Sequence, residues 1–259
     1  MLPITSRSNP RLKLLRAAFE GRRQNDGLVA LEGPHLIEEA LRSGTALQTL
    51  FVSQSAERSL QALLETPQLS NVETFTVAEG VFASAVATEH SQGIAALFQP
   101  QIHAMPPLHG CLFVIVESLQ DPGNLGTILR SAEAFGAAAV LTLPGTADVW
   151  NQKTIRASAG SVFRIPVIAG TLQSVADLQR EGLNLIAAVA RGGSTPAATN
   201  FTGPCALLIG NEGAGLSAKL LAMSEHPVTI HCPGRVESLN AAVATSVLLY
   251  AASLQRQVL

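Results

Sequence analysis

Apolar and polar positions along this chain follow two different rhythms. In the front part, Leu12, Leu15 and Phe19 recur at helical spacing and predict a helix over residues 10–23. Residues 28–31 read as a short strand. Gly33 and Pro34 then open a second helix through Ile37, Ala40 and Leu41, which stops at Ser43 and Gly44. Residues 50–52 and 72–77 predict two more strands, with a helix over 57–64 between them, and the apolar run 94–98 closes this part. There the rhythm breaks. Pro100, Pro106 and Pro107 stand between Gln99 and Gly110 without any periodic pattern, which is how a linker reads. The chain therefore divides into a small α/β unit over residues 1–99, a linker over 100–109 and a second unit over 110–259.

In the second unit the apolar runs 111–116, 138–143, 164–168, 183–189, 205–209 and 228–230 are nearly continuous rather than alternating. Such runs suit parallel strands covered on both faces, and the helical segments between them predict a doubly covered α/β sheet. The last helix, predicted from Ser238 to near Gln255, is unusual. Leu239, Ala242, Val243, Ser246, Val247, Tyr250 and Leu254 form one stripe, yet Ala241, Ala244, Leu248, Leu249, Ala251 and Ala252 leave little polar surface elsewhere. A helix apolar nearly all round has to be covered, either by the core alone or by the core and a second subunit.

Composition alters this picture only in detail. At 259 residues and 47% hydrophobic content, the chain can bury a core in each of two domains. No stretch of about 18 or more apolar residues occurs. The opening residues are charged rather than signal-like, which predicts a soluble cytoplasmic protein with no membrane partner. Cys111, Cys205 and Cys232 lack paired ligand spacing and read as small apolar fillers in a reducing compartment, so no metal site or disulfide is expected. A net charge of −2 offers no global attraction to a polyanion. Locally, however, Arg7, Arg11, Lys13, Arg16, Arg22 and Arg23 crowd together, opposed only by Glu20. Phosphate contacts need such local density, so the cluster is either an RNA-binding face or a solvated basic helix.

Three polar, glycine-bearing runs hold the candidate chemistry, each directly after an apolar strand-like stretch. In the first, over 121–130, Asn124 is a candidate N-cap, and Arg130 falls off the apolar face made by Leu125, Ile128, Leu129, Ala132 and Phe135. That places it where open α/β sheets bind ligands. In the second, over 208–216, Gly210, Gly213 and Gly215 let backbone pass close to a ligand, with Asn211 and Glu212 at the tip. Neither the dinucleotide spacing of glycines nor a phosphate-loop lysine is present, so a ligand held by backbone, such as an adenosine without phosphates, fits better. In the third, over 234–240, Pro233 and Gly234 turn the chain and Ser238 is a candidate cap for the last helix. Asn240 has no explanation in capping alone.

Together these runs resemble the motifs of the SpoU (TrmH-type) RNA ribose 2′-O-methyltransferases of the SPOUT superfamily. The likeness extends to the stretch 153–160 with Lys153, Arg156, Ser158 and Gly160. The front unit resembles the L30e-like substrate-binding domain that often precedes this catalytic domain, through Asn9-Pro10, Leu31 to Gly33, and His90 to Gly93. The resemblance implies S-adenosylmethionine as cofactor, a deep C-terminal trefoil knot, and a homodimer using the last helix. It also implies a structured RNA, rRNA or tRNA, as substrate. Residue by residue, it implies catalytic roles for Asn124, Arg130, Glu212, Ser238 and Asn240. It places the cofactor against Leu208, Ile209, Gly210, Asn211, Gly213, Ile230, Cys232, Ser238 and Leu239, and adds Lys153 and Arg156 to the RNA-binding cations. Where the family usually has Ile-Pro-Met before the third motif, this chain has Ile230, His231, Cys232 and Pro233, with His231 expected as a packed loop histidine. The alternatives are an RNA-binding module with an inactive methyltransferase domain, or an rRNA methylase conferring antibiotic resistance.

Overall fold

The computed structural model describes residues 2–21, 27–88 and 90–256. Arg22 and Arg23 of the basic cluster lie outside the described residues. The chain forms two compact units, residues 1–101 and 102–259.

The first unit contains β1 (Leu2–Ile4), α1 (Pro10–Phe19), β2 (Val29–Glu32), α2 (Pro34–Arg42), β3 (Leu47–Ser53), α3 (Gln61–Leu64), β4 (Glu73–Val77), α4 (Glu79–Phe82) and β5 (Ile94–Phe98). Its sheet has the order β1-β4-β3-β5-β2, with β5 antiparallel to both neighbours and the other pairs parallel. Leu12, Leu15 and Ala18 of α1 pack on the face that presents Ala30, Phe51, Ala95 and Leu97. The helix ends at Phe19, short of the expected residue 23, because Gly21 takes a positive φ of 71° and turns the chain away. β1 had no signal in the pattern: it is three residues long, includes Pro3, and lies at the sheet edge, where a missing donor costs least.

The second unit contains β6 (Leu112–Val116), α5 (Pro122–Ala134), β7 (Ala139–Thr142), α6 (Gln152–Ser158), β8 (Val167–Ala169), α7 (Leu172–Arg180), β9 (Asn184–Ala187), β10 (Cys205–Ile209), α8 (Ala218–Ala222) and α9 (Ala241–Arg256). The order β8-β7-β6-β10-β9 is parallel throughout. Every residue of β6 and β10 is buried, which accounts for their unbroken apolar sequences. One face packs on α5 and α9 and the other on α7 and α8. α5 and α6 approach so closely that a β-carbon on Gly126 would lie 2.5 Å from the Thr154 carbonyl oxygen.

Two expected strands differ. Residues 228–230 do not form a strand: Val228 makes isolated parallel bridges to Ala188 and Ser194. β8 begins at Val167 rather than 164, because residues 161–163 form a 3₁₀ turn and Arg164 is drawn into an ion pair with Glu133. The last helix starts at Ala241, and its far end is anchored by Arg256, which donates to the carbonyls of Gly110, Cys111 and Gly203.

The chain visits β7 and β8 on one side of β6, then crosses to β9 and β10 on the other. The carboxyl ends of β6 and β10 therefore flank the point where strand order reverses, and a crevice must open there.

Candidate active site

The loop after β10 is held by its own backbone. Asn211 and Gly215 exchange N–H···O bonds of 3.0 and 2.9 Å, and Asn211 Oδ1 accepts from the Gly213 and Ala214 N–H groups at 2.9 Å each. Two attachments fix this loop to the end of β6. Asn211 Nδ2 donates to the Ser118 carbonyl at 2.8 Å, and the buried Glu117 carboxylate accepts from both the N–H and the hydroxyl of Ser217 at 2.7 Å. Ser118 has a positive φ of 53°, a strained backbone state for a residue with a β-carbon and one that clusters at functional sites.

At the tip of this loop, Glu212 joins the first run to the second. Its carboxylate accepts from Asn124 Nδ2 at 3.0 Å and from the N–H groups of Asp121 and Gln120 at 3.3 and 3.4 Å. Asn124 Oδ1 in turn accepts from Asn240 Nδ2 at 3.0 Å. One residue from each run thus enters a single hydrogen-bonded chain, Glu212–Asn124–Asn240. Removal from water raises the Glu212 pKa, but the hydrogen bonds from Asn124 and the backbone outweigh this and hold the carboxyl below its ordinary range.

The caps differ from expectation, and this frees the relay. Asp121, not Asn124, caps α5: its carboxylate accepts from Gly123 N–H at 2.8 Å, with Pro122 in the first turn. Asn240, not Ser238, caps α9, its Oδ1 accepting from the N–H groups of Ala242 and Val243 at 2.9 and 3.2 Å. Asn240 therefore serves the helix with its oxygen and the relay with its nitrogen. Ser238 stands exposed on the preceding segment.

Beside the relay lies a cleft of about 780 Å³, within the usual range for a small-molecule site. Ile209, Gly210, Asn211, Gly213, Ile230, Cys232, Ser238 and Leu239 all line it. Leu208, expected with them, is buried in the core on the opposite side of the sheet. His231 is exposed and lines the cleft rather than packing into a loop. A wall that the sequence reading missed comes from residues 188–192, beyond the end of β9. The signal was there, in Arg191, Gly192 and Gly193 directly after an apolar run. This lining suits a nucleoside: loop backbone and the apolar side chains Ile209, Ile230 and Leu239 face the cleft, no lysine-bearing phosphate cradle is present, and the charged side chains are those of Arg191, Glu212, Arg235 and Glu237. Among the described residues no cluster suited to a metal ion occurs, and no helix is long and apolar enough to cross a membrane.

Arg130 does not line the cleft. It sits more than two turns into α5, exposed, without a hydrogen-bond or ion-pair partner among the described residues. Lys153 and Arg156 are likewise exposed, one turn apart on α6, the helix packed against α5. The N-terminal cations are more committed than their density suggests. Arg11 pairs with Glu73 at 3.0 Å, Arg16 donates to the Arg7 carbonyl at 2.8 Å, and Arg7 donates to the Gly80 carbonyl at 3.4 Å. Lys13 is exposed.

Residues 111–250 match the SpoU rRNA Methylase family, and residues 9–96 match the MRM3-like substrate binding domain. The chain is 36% identical to an uncharacterized tRNA/rRNA methyltransferase of Synechocystis sp., over 98% of this chain and 94% of that protein. It is 35% identical to the 23S rRNA (guanosine(2553)-2′-O)-methyltransferase RlmP of Bacillus subtilis, covering 96% of this chain and 98% of that one. The AdoMet-bound rRNA methyltransferase from Sinorhizobium meliloti superposes with a TM-score of 0.84 at 29% identity, over 99% of this chain and 98% of that one.

Proposed function

The chain belongs to the SpoU rRNA methylase family, and from that premise we propose how its three runs divide the work of the reaction. It is an S-adenosylmethionine-dependent enzyme that methylates a ribose 2′-hydroxyl of RNA. We take the RNA to be a structured ribosomal RNA. The observation that supports this assignment of roles best is the Glu212–Asn124–Asn240 relay beside the cleft. An inactive binding module would have no need to keep it intact.

S-adenosylmethionine held in this cleft would supply a sulfonium-activated methyl group to the ribose 2′-oxygen, with S-adenosylhomocysteine as the leaving group and the hydroxyl proton passing to solvent or an RNA phosphate. The protein therefore needs no nucleophile of its own, and its residues bind and orient. Backbone of the 210–215 loop would hold the nucleoside, and the apolar side chains Ile209, Ile230 and Leu239 would exclude water around it. The relay ties the Glu212 loop to the first turn of α5 and the cap of α9, so the loop and the segment leading to α9, both lining the cleft, keep one geometry. Ser238, exposed and lining the cleft, would hydrogen-bond the incoming ribose. Arg130 is a poor base, because a guanidinium keeps its proton far above neutral pH. Its role is a fixed positive fork that orients the RNA phosphate and stabilises the developing alkoxide. Lys153, Arg156 and Lys13 add phosphate contacts, with the front unit acting as an L30e-like RNA reader.

Two further features belong to this reading. Val243, Val247, Tyr250 and Leu254 form an exposed stripe on α9, each between 41% and 53% accessible, and a second copy of the chain would cover it as a homodimer. The segment leading to α9 passes along the cleft and would complete a trefoil knot.

Because Glu212 is held below its ordinary pKa, what its contacts contribute is present above the unfolded-state value and is lost as pH falls through the folded one. Calorimetric affinity for S-adenosylmethionine is thus expected to stay flat from neutral pH into the ordinary carboxylate range and to fall only in more acid solution. A fall already centred near neutral pH would contradict control by Glu212. The functional assignment itself is tested by mapping ribose methylation in total RNA from a deletion strain. One ribosomal 2′-O-methyl group should disappear and return with the wild-type gene. A lost methyl on a base, or no change, would sink the assignment.

A further inference from the structure

We propose that Arg191 is the carboxylate-binding residue of the cofactor site, an inference that rests on the S-adenosylmethionine reading above. Adenosine can be held by backbone and apolar contacts, but the methionine tail of that cofactor ends in a carboxylate. Burying such a charge without a partner is costly. The cleft offers two arginines, Arg191 and Arg235. Arg235 lies two residues before Glu237 on the same wall, so a carboxylate arriving there would meet a like charge as well as the guanidinium. Glu212 is occupied by the relay. The wall made by residues 188–192 has one charge, that of Arg191, and no counter-ion for it among the described residues.

The loop that presents Arg191 is built, not loose. The Thr229 hydroxyl donates to the Val189 carbonyl at 3.1 Å and accepts from the Gly193 N–H at 2.9 Å, which ties together the two ends of the turn with Arg191 near its apex. Thr229 N–H donates to the Ser194 carbonyl at 2.9 Å, and Ser194 N–H donates to the Pro227 carbonyl at 2.9 Å. The turn is tight enough to demand two glycines. Gly192 takes a φ of 83°, and a β-carbon on Gly193 would lie 2.7 Å from the Pro227 carbonyl oxygen. A turn held this firmly fixes the backbone from which the exposed Arg191 side chain extends, and the planar fork of a guanidinium matches a carboxylate with two parallel N–H···O bonds.

The test compares two adenosine thioethers by calorimetry: S-adenosylhomocysteine, which has the carboxylate, and 5′-methylthioadenosine, which lacks it. Arg191→Ala is expected to weaken S-adenosylhomocysteine about tenfold and leave 5′-methylthioadenosine unchanged. Arg191→Lys should recover part of the loss, and Arg235→Ala should not discriminate between the two ligands. Because the ammonium group is common to every titration of the first ligand, its share cancels between variants. Equal weakening of both ligands by Arg191→Ala, no weakening of either, or a selective loss in Arg235→Ala instead would overturn the inference. A wild-type chain that bound neither ligand would overturn the cofactor reading itself, a result seen before any variant is made.

Discussion

Placing a methyl group on Gly210 is expected to lower affinity for S-adenosylmethionine about a hundredfold, the upper end of what overpacking costs. The added carbon would lie 2.2 Å from the Gly215 carbonyl carbon and 2.3 Å from the Leu216 nitrogen. Both are backbone atoms, so no side chain can swing aside, and the whole turn has to shift. That turn holds Asn211 against Ser118, Ser217 against Glu117, and Glu212 against Asn124. A shift at Gly210 therefore disturbs the cofactor grip and the relay together. Gly213→Ala is the internal control. Its β-carbon would meet only Asn211 Oδ1 at 3.6 Å, ordinary contact, and Gly213 is not among the glycines with positive φ. Calorimetry should find Gly213→Ala close to wild type. Normal binding by Gly210→Ala would show that this loop is not the grip.

Loss of the guanidinium at position 130 should separate turnover from cofactor binding. Arg130 lies outside the cleft and has no partner among the described residues, so Arg130→Ala should leave cofactor affinity intact. The methyl-transfer rate should fall by about 10²–10³, the usual loss when one aimed donor is removed from a developing oxyanion. Arg130→Lys should recover little, because an ammonium keeps the charge but not the fork. Near-full turnover in the lysine variant would refute the fork. A parallel loss of cofactor affinity would place Arg130 in the wrong half of the site.

Much of the second unit was legible because parallel strands buried on both faces have no polar positions to confuse the pattern. β10 matches its expected bounds, and the polar runs beyond β6 and β10 mark the switch point. What failed was local choice among equivalent residues. Asp121, Asn124, Ser238 and Asn240 are all good helix caps by type. Pro122 in the first turn is the sequence feature that favours Asp121 as the cap. Long-range pairings gave no signal at all: Glu117 meets Ser217, and Arg11 meets Glu73, only because the sheet brings them together. Leu208 was misplaced for a simpler reason, since alternate residues of β10 face opposite sides of the sheet.

The central claim is that Glu212, Asn124 and Asn240 act as one unit in ribose methylation. A double-mutant cycle tests it directly: initial rates of labelled-methyl transfer from S-adenosylmethionine to ribosomal RNA for wild type, Asn124→Ala, Glu212→Ala and the double variant, with the RNA digested to confirm label on ribose. The double variant should be no slower than the slower single one, since breaking the relay once already releases it. Losses that multiply would show two residues acting independently and contradict the account.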